Sequence, residues 1–199
     1  MDLLLQIVQG CHKNDRRSQR LFYERYYGYA LRISFRYMDS YEESRQLTND
    51  MFLTIFRNFN GFKHDYNKNV DFALREWIKS KIIEAVIHDF TARADLRNPV
   101  HVPATLAASR RERLPLFPET PALYGELITS IRELPPVLRV VFNLYVIDRY
   151  PQIEIAKMVG IRLETAEAYI QVARQICLKP YLAQNTAAGE NPPVDRNLR

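Results

Sequence analysis

The residues of this 199-residue chain best suited to binding chemistry lie between Lys63 and Arg93. Lys63, Tyr66, Lys68, Arg75, Lys79, Lys81, His88 and Arg93 are interleaved there with Phe72 and Trp77. A polar loop at 63–71 precedes the densest part of the run. Loop, cations and aromatic planes together are what an unstacked nucleic-acid strand requires: bases stack on the rings and phosphates meet the cationic groups. Each residue also has a plainer role. Phe72 and Trp77 can be core anchors, a role favoured for Trp77 by the apolar stripe beside it. The lysines can simply keep a helix face solvated.

No catalytic or metal-binding constellation accompanies this run. His12, His64, His88 and His101 are dispersed, and Cys11 and Cys177 have no Cys or His neighbour at ligand spacing. The glycines are too isolated to cradle a phosphate, and the carboxylates alternate with bases as on solvated helix faces. The expectation is a binding protein with no catalytic residues, no cofactor, no metal and no small-molecule substrate. Apolar residues at 47% and charged residues at 26% fit an ordinary soluble globular protein. Two distant cysteines exclude a disulfide framework and point to a reducing, cytoplasmic setting. No apolar run approaches the roughly 18 residues of a membrane span. Met1–Gln9 carries Asp2 and lacks a basic start, so it does not read as a secretory leader. The net charge of +5, carried mostly by the first half, permits an anionic partner without demanding one.

The elements that must position these residues read as all-α. There is no proline before Pro99. Phe22, Tyr26, Tyr29, Ile33 and Tyr37 recur at helical spacing and predict a helix over 16–38. Leu47, Met51, Phe52, Ile55, Phe56 and Phe59 predict another over 41–59, ended by Gly61. Ile78, Ile82, Val86 and Phe90 predict a third over 72–92. A short apolar opening at 3–8 precedes them, and Asn14 or Asp15 can cap the 16–38 helix. Apolar faces of this kind are buried only against one another, in a helical bundle over 1–97. Pro99, Pro103, Pro115, Pro118 and Pro121 mark 98–121 as a linker. A second helical block occupies 122–182, and the polar segment 183–199 is expected to be a disordered tail.

The second block has a tighter pattern. Leu134-Pro135-Pro136 leads into an apolar helix with Val137, Val141, Leu144 and Tyr145. A short helix with Ile153, Ile155, Ala156 and Val159 follows, then Gly160, then a third helix from near Leu163. Small Ala156 allows a close crossing, Gly160 allows the positive φ of a tight turn, and Ala166 and Ile170 lock the third helix down. That is the steric pattern of a helix-turn-helix.

At this point the chain resembles the sigma factors of bacterial RNA polymerase, of the small two-domain extracytoplasmic-function type. The likeness runs over roughly 3–95 and 123–182. Leu4–Tyr27 resembles the family's opening helices. Arg36-Tyr37-Met38 and Gln46–Phe62 (QLTNDMFLTIFRNFNGF) resemble the helix that docks on the polymerase. Phe72–Arg93 resembles the helix that reads the −10 promoter element. LPPVLRVVFNLY at 134–145 and EIAKMVGI at 154–161 resemble the start of the −35-binding domain.

The resemblance implies core RNA polymerase and promoter DNA as partners, with an anti-sigma protein as a possible regulator. It assigns polymerase contact to Gln46, Asn49 and Asp50, although the position of Gln46 is usually acidic in the family. Lys63–Asp71 would help trap a flipped promoter base while Arg75, Lys79 and Lys81 hold phosphates. Arg162, Thr165, Glu167, Gln171 and Arg174 would face the −35 element. That last helix departs from the family, because Glu164 and Glu167 put negative charge where phosphates should lie. Two other readings stay open: a degenerate sigma-like module that grips polymerase but binds DNA weakly, and a helix-turn-helix regulator of duplex DNA.

Overall fold

The computed structural model describes residues 3–63, 69–93 and 121–187, and every regular element among them is helical. The chain divides into two compact units with the main boundary after Val100; Lys157–Gly160 group with the first, although the helix they close is described with its sequence neighbours. Of the expected linker at 98–121 only Pro121 is described, as the first residue of a helix; the rest of it, most of the expected tail, and Tyr66 and Lys68 lie outside the described residues.

In the first unit, α1 (Leu3–His12) and α2 (Arg16–Tyr37) form a hairpin. Asn14 adopts the positive φ of 57° that ends α1, a conformation its short polar side chain tolerates. Asp15 is the cap of α2, its carboxylate accepting the Ser18 N–H at 2.8 Å. The two cap candidates thus divide the work, one making the turn and the other the cap. Gly10 sits where the helices touch, and a Cβ there would overlap the Ser18 side chain.

A reciprocal capping box between Ser40 and Glu43 opens α3 (Tyr41–Arg57). α3 runs antiparallel to α2. Thr48 Oγ1 donates to Ser34 Oγ at 2.9 Å near one end, and the ring of Phe22 meets that of Phe59 at 5.2 Å near the other. The helix expected to reach residue 59 stops at Arg57, and Phe59–Gly61 forms a 3-10 turn. α4 (Val70–Ala92) starts two residues before its predicted beginning because Asn69 caps it, accepting the Phe72 N–H at 3.1 Å. Phe22, Tyr26, Phe52, Ile55, Ile78, Ile82, Val86 and Phe90 fill the core. Each such side chain contributes about 1.5–3 kcal/mol on burial.

The second unit holds α5 (Pro121–Glu133), α6 (Pro136–Phe142), a π-helical turn (Asn143–Ile147), α7 (Gln152–Val159) and α8 (Leu163–Ala187). α6 is buried on every side from Val137 to Phe142, Arg139 included. A helix so enclosed is the centre of its unit. The Arg139 guanidinium donates to the Leu134 carbonyl at 3.0 Å, which ties α6 to the preceding turn. α8 continues to Ala187 and so corrects the expected tail boundary at residue 183. Low apolar content suggested disorder there, but Ala183, Gln184 and Ala187 are good helix formers, and Pro180 does not stop the helix.

Candidate nucleic-acid interface

One end of the first unit is organised around Asp71, in the first turn of α4. Tyr26 Oη donates to its carboxylate at 2.8 Å, Arg25 at 3.2 Å and Arg75 Nε at 2.7 Å. Burial opposes ionisation of Asp71, but the hydrogen bonds from Arg75, Tyr26 and Arg25 outweigh it and hold the carboxyl below its usual range. The Arg75 guanidinium also lies 5.0 Å from the centre of the Tyr29 ring, a cation–π contact. Tyr29 Oη in turn donates to the Arg75 carbonyl at 3.3 Å. Arg75 is therefore committed to fastening α4 onto α2, and a phosphate would have to compete with Asp71 for it.

The same end presents Lys63, which is exposed, and Phe72, whose side chain is 65% exposed. Phe72 is not a core anchor. Its backbone N–H is held by the Asn69 cap at the start of α4. Trp77 is half-buried, its ring 5.4 Å from Phe59 and 5.1 Å from Phe62. The two aromatics weighed together in the sequence thus part company, one to the surface and one to the packing.

The remaining cations of α4 do not gather into one patch. Lys79 pairs with Glu76 at 2.8 Å and Lys81 with Glu84 at 2.7 Å. Lys81 and His88 line a cleft of about 460 Å3 between α3 and α4, opposite Asp50. A residue assigned to polymerase and two assigned to DNA therefore share one cleft. Arg93 pairs with Glu43 at 3.0 Å, and eighteen residues of helix separate it from Arg75, about 27 Å. Of the other polymerase candidates, Gln46 is exposed, and Asn49 accepts a 3.0 Å hydrogen bond from Tyr23 Oη.

In the second unit the turn between α7 and α8 has the geometry its sequence requires. Gly160 takes φ +74°, and the Ile161 N–H donates back to the Ala156 carbonyl at 3.0 Å. This is the six-to-one bond of a Schellman cap. Ala156, Ala166 and Ile170 are all buried, as a helix-turn-helix needs. Glu167, Gln171 and Arg174 follow at spacings of four and three and share one face of α8 with Glu164. Glu164 and Glu167 are exposed, and Gln171 and Arg174 half-exposed. Thr165 is half-buried and off this face, while Arg162 is exposed at the start of α8.

Two features escaped the sequence reading. The Asp71 hub ties Arg75, its local i,i+4 partner, to Tyr26 45 positions away, and no local pattern announces the long-range half. The cations of the α1–α2 corner were legible but were counted only as net charge. Cys11 and Cys177 are both buried, and burial pushes each thiol up to about 12. Thiols kept protonated in this way are inert structural residues. Among the described residues no cluster of His, Cys, Asp and Glu is arranged to hold a metal, and no helix is long and apolar enough to cross a membrane.

No curated protein matches the chain in sequence. The family model described as sigma-70, region 4 matches residues 124–177, from within α5 to within α8. Over these residues the chain is similar to region 4 of the sigma-70 family, and the match takes in the α7–α8 helix-turn-helix.

Proposed function

We propose that the chain is a two-domain sigma factor of the extracytoplasmic-function type. It binds core RNA polymerase through the outer face of α3, opens promoter DNA at the 62–72 end of the first unit, and sets α8 on upstream duplex. It performs no bond chemistry of its own. Binding energy alone separates the strands, and a polymerase partner places the protein in the cytoplasm. An anti-sigma protein would act by covering one of these faces.

The observation that carries this reading is the sigma-70 region 4 match on the α7–α8 helix-turn-helix, preceded in the chain by a helical bundle with an aromatic, cationic end. Lys63 and Phe72 are the groups best presented to an unpaired strand. Arg75, Tyr26 and Asp71 serve as their mount.

A second reading is favoured by one feature. Glu164 and Glu167 stand exposed on the α8 face that would meet phosphates, which suits a polymerase-binding module with weak upstream DNA contact. Reconstitution separates the two. The purified chain is mixed with core polymerase, and run-off transcripts are read from a promoter library. Co-purification with defined start sites supports the sigma factor. Co-purification without transcripts supports the interaction module, and failure to co-purify removes both.

A further inference from the structure

We infer that the α1–α2 corner, formed by Lys13, Arg16, Arg17 and Arg20, is a second binding surface for the DNA backbone. It would extend the path of the strand beyond the 62–72 end of the bundle. This inference rests on the proposed promoter-binding role and adds residues to which neither the resemblance nor the family match assigns a part.

Four of the eight residues from 13 to 20 are cationic, and all four are exposed. Arg20 pairs with Glu24 at 2.8 Å on the open surface. Among the described residues, no carboxylate lies within ion-pairing distance of Lys13, Arg16 or Arg17; Asp15, the nearest acid in sequence, is spent on the Ser18 cap. Arg16 and Arg17 stand in the first turn of α2, which holds no acidic residue. Cations there oppose the positive end of the helix dipole. The helix dipole gains nothing from them, whereas a polyanion would; within the fold, the charge of Arg17 helps hold the Asp15 carboxylate ionised.

Their position is equally informative. Tyr26 meets Asp71 and Tyr29 meets Arg75, so α2 and α4 run parallel with these levels aligned. From Arg25 back to Arg16 is nine residues, about 14 Å of helix. The start of α2 thus projects past the start of α4, alongside the connection that carries Lys63. His12 fixes the corner to that connection: its ring nitrogen lies 3.1 Å from Asn60 Oδ1, and the ring packs edge-on against Phe59 at 5.1 Å. Lys63, Phe72 and the four cations therefore share one end of the bundle. A strand stacked at Phe72 has a line of exposed positive charge to follow.

The test measures anisotropy of a labelled promoter fork with the full chain, alone and with core polymerase, across a salt series. The variants are Lys13→Ala/Arg16→Ala/Arg17→Ala and, separately, Lys63→Ala. Loss of three phosphate contacts should lower the slope of log K against log salt by about 2–3. The triple variant should melt at the same temperature or higher, because two unfavourable charges have left the helix end. An unchanged slope in the triple variant, with a reduced slope for Lys63→Ala, overturns this inference and leaves the promoter-binding role standing. A triple variant that loses polymerase rather than DNA makes the corner a protein contact and also overturns it. Absence of salt-dependent DNA binding by the unaltered chain in both settings removes the role and the inference together.

Discussion

Tyr26 Oη donates a 2.8 Å hydrogen bond to Asp71 Oδ1 across 45 residues of sequence, joining the middle of α2 to the first turn of α4. With Arg25 and Arg75 on the same carboxylate, this bond fixes the start of α4 against α2. The strand-capturing role proposed for Phe72 depends on that mount staying rigid.

Asp71 should make stability depend on acidity in a definite direction. Its folded pKa lies below 3.8, the ordinary value. The stabilising interaction is complete above the unfolded value and is lost as pH falls through the folded one. Thermal melts should therefore show a stability decline beginning near pH 5 and continuing below about 4. Asp71→Asn should reduce that decline while lowering stability at pH 7 by about 1–3 kcal/mol. Equal acid sensitivity in both proteins contradicts the hub.

Phe72 and Trp77 should separate folding from binding. Phe72→Ala removes an exposed ring, so stability should change by less than about 0.5 kcal/mol. Binding to an unpaired strand should nevertheless weaken by about 1–3 kcal/mol. Trp77→Ala opens the packing against Phe59 and Phe62 and should cost about 3 kcal/mol of stability. Melting curves beside anisotropy titrations read both effects, and a destabilised Phe72→Ala would return that ring to the core.

How far the sequence disclosed this arrangement depended on the distance over which each cause acts. Helical periodicity is local, so α2, α3 and α4 were legible to within a few residues. Caps are local too: Asp15, one of the two candidates read from the sequence, accepts from the backbone N–H of Ser18 three positions on. The turn at Gly160 was legible because only its position and the small residues around it satisfy the geometry. Phe72 was ambiguous because its neighbours are apolar and its exposure depends on where α2 ends up. Arg75 looked like a phosphate contact because Tyr29 is brought to it only by folding, although Asp71, four residues earlier on the same helix, was a local partner in plain view. The cations of α4 suggested one patch on paper, yet helix rise alone carries Arg93 away from Arg75.

The α7–α8 turn should tolerate no ordinary side chain at its centre. A Cβ at residue 160 would meet nothing within 4 Å, so the cost is conformational and not a clash. Gly160→Ala should destabilise the second unit by roughly 1–2 kcal/mol because φ must remain positive. Gly160→Asn should cost less. Hydrogen exchange localised to α7 and α8 would record the difference, and equal stability of the two variants would argue for a different turn.

Glu167 is exposed on the face of α8 that region 4 of a sigma factor would turn to DNA. Glu167→Lys should leave the melting temperature within a degree or two. It should tighten upstream duplex binding and steepen its salt slope by about 1–2, since one repulsion is replaced by one phosphate contact. No change in either quantity would put the DNA-facing side of α8 elsewhere.

The most direct measurement places a photo-crosslinking amino acid at position 72 and assembles the chain with core polymerase on a promoter. Irradiation of the open complex should join this position to the displaced strand within the upstream part of the bubble, and a closed duplex should give little product. Crosslinks only to polymerase, or to duplex and open DNA alike, would contradict strand capture at this end of the bundle.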